Sequence, residues 1–167
     1  RSTRPQRNFS FSRLALGLSI AALLVLNLFS FIQLQQIQSR QARLLDQVEN
    51  AQVALAMLSS PNVQMFPVNG EKVSGTLLLD NAQNKAVLIA QNMPELASNQ
   101  TYQIWLIQPD GKRTSAGLFR PESGQSYTTQ TISSSQILSD YVGVGITVEP
   151  AGGSDQPTGE RVFRVDF

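Results

Sequence analysis

The chain contains neither cysteine nor histidine. Without them no disulfide framework can form, and a structural zinc site lacks its usual ligands. A Ser–His or Cys–His catalytic pair is likewise impossible within it. Acidic residues are absent from the first 45 positions, which carry six arginines: Arg1, Arg4, Arg7, Arg13, Arg40 and Arg43. Glycine and proline are absent between Gly17 and Pro61, so nothing there interrupts a helix. The net charge of +1 hides an uneven distribution. Residues 61–167 carry seven Lys+Arg against ten Asp+Glu, a difference of −3. That half lacks the basic face a nucleic-acid-binding domain needs.

What the chain does have is one uncharged apolar run at residues 14–32, LALGLSIAALLVLNLFSFI. As a helix it is roughly 29 Å long, matching a hydrocarbon core of about 30 Å. A signal peptide would have a shorter apolar region closed by a small-residue cleavage site. Here the run continues into Gln33-Leu34-Gln35-Gln36 without one. A buried soluble helix is excluded by the size of the β-domain, which is too small to enclose a helix apolar all round. The reading is a single membrane span. Arg1, Arg4, Arg7 and Arg13 precede it, and no charge comes after it until Arg40. The positive flank stays in the cytoplasm, which puts residues 1–13 inside as a basic tail and residues 33–167 outside. Asn27, within the run, has two outlets: a partner helix, or its own backbone carbonyls.

From residue 33 to residue 60 the pattern becomes amphipathic. Leu34, Ile37, Leu44, Val48, Ala51, Leu55 and Leu58 recur at alternating steps of three and four, with Gln41 the polar member of the series. This is a heptad seam on a helical stalk, continuous with the span and ending near Ser59-Ser60-Pro61. Three occupants fit the seam: a second copy of the chain, its own β-domain, or another subunit of a membrane complex.

Beyond Pro61 short apolar runs alternate with turn residues. Strands are expected at residues 63–68, 74–80, 85–90, 101–108, 114–119, 126–132, 141–149 and 162–167, with a brief helical turn within 134–139. In the fourth strand Tyr102, Ile104 and Leu106 face one way, Trp105 and Ile107 the other, which marks it as central. In the seventh, Gly143 and Gly145 suggest close approach of a neighbour. The fold class expected is all-β, an antiparallel sandwich or barrel at residues 61–167, preceded by one long transmembrane-plus-stalk helix.

Two blocks carry a resemblance. Thr101-Tyr102-Gln103-Ile104-Trp105-Leu106-Ile107 is succeeded by Asp110-Gly111 and Ser115-Ala116-Gly117-Leu118-Phe119. This is similar to the "YxLWLI…DG…SAGxF" signature of the extracytoplasmic domain of anti-sigma-K factors of the RskA type, with Ile104 in place of Leu. Thr147-Val148-Glu149-Pro150-Ala151-Gly152-Gly153-Ser154, then Pro157-Thr158-Gly159, resembles that family's "TxEPxGGSxxPTG". The resemblance implies a bacterial, single-pass regulator that holds a sigma factor inactive at the membrane until proteolysis outside and then within the membrane releases it. It implies that the sigma factor is bound by a cytosolic domain, which thirteen residues before the span cannot form. That domain would lie upstream of Arg1 or have been lost.

The residues shared with the family read as structural. Trp105 belongs to the core by alternation, in preference to a carbohydrate platform. Asp110 caps its own turn with Gly111. The loop from Glu149 to Ser154 reads as a rigid connection, stiffened by Pro150 and Pro157 and turned by glycines, in preference to an anion site made by Gly152 and Gly153. No catalytic constellation and no cofactor is implied. The competing classes are an accessory subunit of a membrane complex or surface assembly, and an extracytoplasmic enzyme. A type IV pilin has the same outline, but pilins carry a Glu near the start of the apolar helix, and residues 14–32 contain none. If proteolysis operates, the junction at residues 59–62 is the exposed cut site.

Overall fold

The computed structural model describes residues 11–122 and 124–167, with side chains from Gly17 onward. Arg1, Arg4 and Arg7 of the basic tail lie outside the described residues. The chain divides into two compact units, residues 1–45 and 46–167. The first is the greater part of helix α1, Phe11–Leu58, which runs 48 residues without a break. From Leu18 to Ile32 its large apolar side chains are all exposed, the condition of a helix whose solvent is lipid. By length and composition α1 can cross a membrane. Asn27 donates from Nδ2 to the carbonyl of Leu23 at 2.9 Å, one turn earlier, so its amide is satisfied within its own helix.

The second unit holds the last turns of α1 and eight antiparallel strands: β1 (Gln64–Asn69), β2 (Ser74–Asp80), β3 (Lys85–Gln91), β4 (Gln100–Ile107), β5 (Arg113–Phe119), β6 (Tyr127–Ile132), β7 (Gly143–Pro150) and β8 (Arg161–Asp166). A short 3-10 turn at Leu138–Asp140 precedes β7, at the end of the segment expected to carry it. The strands form two four-stranded sheets in the orders β1-β2-β3-β6 and β5-β4-β7-β8. Neither sheet closes on itself, so of the two architectures expected it is the sandwich that forms. The glycine expectation holds for Gly143, where a Cβ would lie 2.6 Å from the carbonyl of Val165. It fails for Gly145, whose nearest neighbours would be 3.7 Å away.

The core arises from the period-2 geometry of the strands. Leu77 and Leu79 of β2 and Leu88 of β3 meet Tyr102, Ile104 and Leu106 of β4, Val144 and Ile146 of β7, and Phe163 and Val165 of β8 between the sheets. The alternate residues Leu78 and Val87 point away from that core, yet both are buried. Ala54 and Met57 from the end of α1 cover them, with Val53, Val63 and Ile89 alongside. This is why β2 and β3 read apolar on both faces: each face has a different cover.

Two polar contacts fix the end of α1 and the residues just after it to the sheet it covers. Asn50 Oδ1 accepts from the backbone N–H of Thr131 at 3.0 Å, occupying a donor of the edge strand β6. Ser60 Oγ donates to Asp80 Oδ2 at 2.8 Å. Asp80, fully buried, also accepts from the backbone and side chain of Gln83, each at 3.0 Å. The Gln83 backbone bond, then the Ser60 hydroxyl, hold its carboxyl below the usual carboxylate range.

Candidate functional site

The two signature blocks, residues 101–119 and 147–159, are separated by 27 residues of sequence, and the fold brings them together. β4 and β7 are hydrogen-bonded neighbours at the centre of the second sheet, with Trp105 opposite Gly145 and Gln103 opposite Thr147. The signature residues then divide between the two faces of that sheet.

Tyr102, Leu106, Ala116 and Phe119 face the core. The ring of Tyr102 packs on Phe119 with centroids 5.4 Å apart. Its hydroxyl donates to the carbonyl of Pro94 at 2.6 Å, and burial pushes that hydroxyl up to about 12. Asp110 and Gly111 form the tip of the β4–β5 turn. Asp110 Oδ1 accepts from the N–H of Lys112 at 3.0 Å, and Gly111 supplies φ 85°. Ser115, Ala116 and Gly117 make a β-bulge, since Ile104 pairs with Gly117 while Trp105 pairs with Ser115. The extra residue lets Ala116 reach the core while the Ser115 hydroxyl reaches the opposite face.

That opposite face is the site. Trp105 is buried, as expected, but it does not enter the core between the sheets. It lies on the outer face of the second sheet, because alternation turns it away from Tyr102, Ile104 and Leu106. Its Nε1 donates to Thr147 Oγ1 at 2.8 Å, and Thr147 Oγ1 donates its own proton to Glu149 Oε1 in a 2.5 Å hydrogen bond. Thr147 and Glu149 are two residues apart on β7 and so share this face.

Glu149 is 1 % exposed and is the hub of the loop that connects β7 to β8. Besides Thr147, it accepts from Ser154 Oγ at 2.8 Å, from the N–H of Thr158 at 2.9 Å, from the Thr158 hydroxyl, and from the N–H of Gly159 at 3.2 Å. No cation is paired with it among the described residues. Burial alone would push this carboxyl up; the hydrogen bonds from Thr147, Thr158 and Ser154 outweigh it and bring it down to about 2. Glu149 is therefore ionised at neutral pH, with its lone pairs occupied by five donor groups. That is an anchoring carboxylate, with no free face from which to transfer a proton.

The rest of the loop is held in the same way. Gln103 presents its amide edge to the backbone of Ser154, donating to the carbonyl at 3.0 Å and accepting from the N–H at 2.8 Å, and also donates to Ser115 Oγ at 2.8 Å. The Gly153 N–H returns to the carbonyl of Pro150 at 2.7 Å. The N–H groups of residues 153 and 154 thus have partners within the domain. Gly153 has φ 76°, whereas Gly152 does not require a positive φ. A Cβ at Gly159 would sit 1.6 Å from the carbonyl of Val148, so only glycine lets the loop rejoin the sheet there. Pro157 lies half-buried in the same loop, near Trp105.

Sequence reasoning did not single out Gln103, Thr147 or Ser154, although all three stand inside the signature blocks. The signal for Thr147 was its two-residue spacing from Glu149. It also missed Arg120, whose guanidinium donates to the carbonyls of Leu96 at 2.7 Å, Ala97 at 2.9 Å and Gln100 at 2.6 Å. Backbone carbonyls carry no mark in a sequence. Among the described residues no group of three or more acidic side chains is placed to hold a metal ion.

Compared with known proteins, residues 15–161 match the family described as anti-sigma-K factor rskA, C-terminal. A protein of the phr 5' region of Streptomyces griseus, itself uncharacterised, is 37% identical over 93 residues, covering 56% of this chain and 37% of that protein. The anti-sigma-K factor RskA of Mycobacterium ulcerans is 35% identical over 109 residues, covering 64% of this chain and 44% of its own length. That of Mycobacterium tuberculosis is 28% identical over 107 residues, with 64% and 45% covered. The chain thus spans less than half the length of the curated relatives it matches. No solved structure matches it.

Proposed function

Because the chain belongs to the family of anti-sigma-K factor RskA C-terminal regions, we propose that it is the membrane span and extracytoplasmic part of a regulator that sequesters a sigma factor. The observation that carries this reading is the extent of the match. It extends from residue 15, in the apolar helix, to residue 161, the first of the last strand, so one family match takes in both the span and the β-domain. In this reading the arginine-flanked end of α1 faces the cytoplasm, where a segment before the span binds the sigma factor. The β-domain stands on the other side as sensor or scaffold.

The geometry of the β-domain supports a regulatory role over an enzymatic one. Its buried carboxylate is saturated by hydrogen bonds, and the signature residues are spent on tying the β7–β8 loop to the second sheet. A rigid domain of this kind suits control by access. Ser59, Pro61 and Asn62 are exposed between the helix and β1, and a protease acting there would separate the domain from its anchor.

The test is co-purification of a sigma factor with the full-length protein extracted from its membrane, together with a reporter fused after Phe167. Retention of a sigma factor and an extracytoplasmic reporter are expected. A cytosolic reporter, or a full-length protein that retains no sigma factor, would overturn the reading.

A further inference from the structure

The stalk of α1 carries two stripes, and the β-domain uses only one. Asn50, Val53, Ala54 and Met57 lie against the first sheet. Val48, Ala51, Leu55 and Leu58, from the heptad series, are exposed over the same turns. At about 100° per residue the two stripes are centred roughly 130° apart around the helix. The seam is thus not the surface by which the chain packs on its own β-domain, which removes one of the three occupants open from the sequence.

We infer that the seam binds a second copy of the same chain, as a parallel two-stranded coiled coil. Four observations point to this occupant. The apolar positions keep the three–four spacing that a like helix in register fills with its own knobs. A membrane span inserts both copies in one direction and confines them to one surface, which raises their effective concentration. The positions flanking the seam are Gln38, Arg40, Leu45, Gln47, Gln52 and Ala54, so the one charged flank, Arg40, would face Leu45 of the other copy and no like charges would oppose. Finally, Leu34, Ile37, Leu44, Val48, Leu55 and Leu58 are each 48–66 % exposed. Covering about 100 Å² on each, from both copies, buries about 1,200 Å², the lower edge of a specific interface. Gln41, the polar member, would meet its own counterpart and set the register, as single polar seam residues do at a cost in stability.

The absence of native cysteine makes disulfide cross-linking a clean test on the full-length protein in its own membrane. Leu44→Cys and Leu55→Cys lie on the seam; Asp46→Cys and Glu49→Cys lie off it and are also exposed. Under a mild oxidant the seam variants are expected to give a homodimer at least about tenfold faster than the controls. Adding Val48→Glu should bring the seam rate down to that of the controls. Trp105 fluorescence should stay unchanged, because Val48 is 54 % exposed and outside the domain core. Equal rates at seam and control positions, no seam dimer, or a seam adduct with a different protein would each overturn the inference. Sigma-factor retention plays no part in this readout, so failure here leaves the regulatory reading standing, and the converse holds too.

Discussion

Replacing Glu149 tests the claim that one ionised carboxylate organises the outer face of the second sheet. Glu149→Ala strands five donor groups, two of them backbone N–H groups at Thr158 and Gly159. An unsatisfied buried donor costs about 1–3 kcal/mol. The three hydroxyl donors can turn elsewhere, so the expected loss is about 3–5 kcal/mol. Glu149→Gln keeps one acceptor for the two N–H groups, removes the charge, and turns the other oxygen into an amide donor to which the Ser154 and Thr158 hydroxyls can reorient as acceptors. Its loss should be about 2 kcal/mol, the difference between charge-assisted and neutral hydrogen bonds. The pH dependence provides a second reading. The folded carboxyl titrates at about 2 against an ordinary 4.5. A group depressed on folding contributes its full stabilisation above the ordinary value and loses it as pH falls from about 4.5 through about 2. That window corresponds to about 3 kcal/mol. Trp105 is the one tryptophan in the chain and is linked to Glu149 through Thr147, so its fluorescence reports unfolding of this face without interference from the helix. Urea titrations in detergent at about pH 7 and about pH 3 should show wild type losing stability on acidification and Glu149→Gln losing much less from this source. Equal stability of wild type and Glu149→Ala at neutral pH would refute the reasoning, as would an unchanged acid sensitivity in Glu149→Gln.

Two glycines of the same loop should differ sharply in their tolerance of a side chain. Gly159→Ala drives a Cβ into the Val148 carbonyl and should cost at least about 3 kcal/mol, while Gly152→Ala has no atom within 4 Å of its new Cβ and should change stability by less than about 0.5 kcal/mol, both measured by thermal unfolding. On the stalk, Met57→Ala removes a side chain that is 2 % exposed and should destabilise the β-domain by about 2–4 kcal/mol, whereas Leu55→Ala, 66 % exposed, should leave the unfolding of detergent-separated monomers within about 0.5 kcal/mol of wild type. Arg120→Ala frees three carbonyls between Leu96 and Gln100 at a global cost of about 1 kcal/mol, with the larger effect local; faster hydrogen exchange at Ala97 and Gln100 is the readout.

The eight strands and the helix were legible because their signals are local. A strand sends its side chains in only two directions, so Tyr102, Ile104 and Leu106 declared one face and Trp105 and Ile107 the other without knowledge of the rest of the chain. What covers a face is a long-range fact. Leu78 and Val87 look the same in sequence whether a helix, a loop or a second sheet lies over them, and it is Met57 that does. The stalk shows the same division. Its heptad seam spans many turns and stands out, whereas the stripe that docks on the sheet is Asn50, Val53, Ala54 and Met57, two turns long with a polar residue at its head. No window of sequence separates so short a stripe from the background.

At the site, the distance between legible and illegible is set by which partner carries the chemistry. Glu149 was visible as a member of a turn-rich block, but a carboxylate flanked by proline and glycine has the same appearance at a ligand site and in a rigid loop. Its partners decide between the two, and they come from both sides of the loop: Thr147 on the strand before it, Ser154 in its middle, Thr158 and Gly159 where it rejoins the sheet. Closure of the loop is what saturates the carboxylate, and the carboxylate is what keeps the loop closed. The same closure explains Trp105. Pro157 and Gly159 of the loop line one cavity with Trp105, and the indole N–H is taken by Thr147, which donates in turn to Glu149. Loosening Glu149 should therefore expose Trp105 before the core between the sheets opens, since Tyr102, Ile104 and Leu106 are held from the other side.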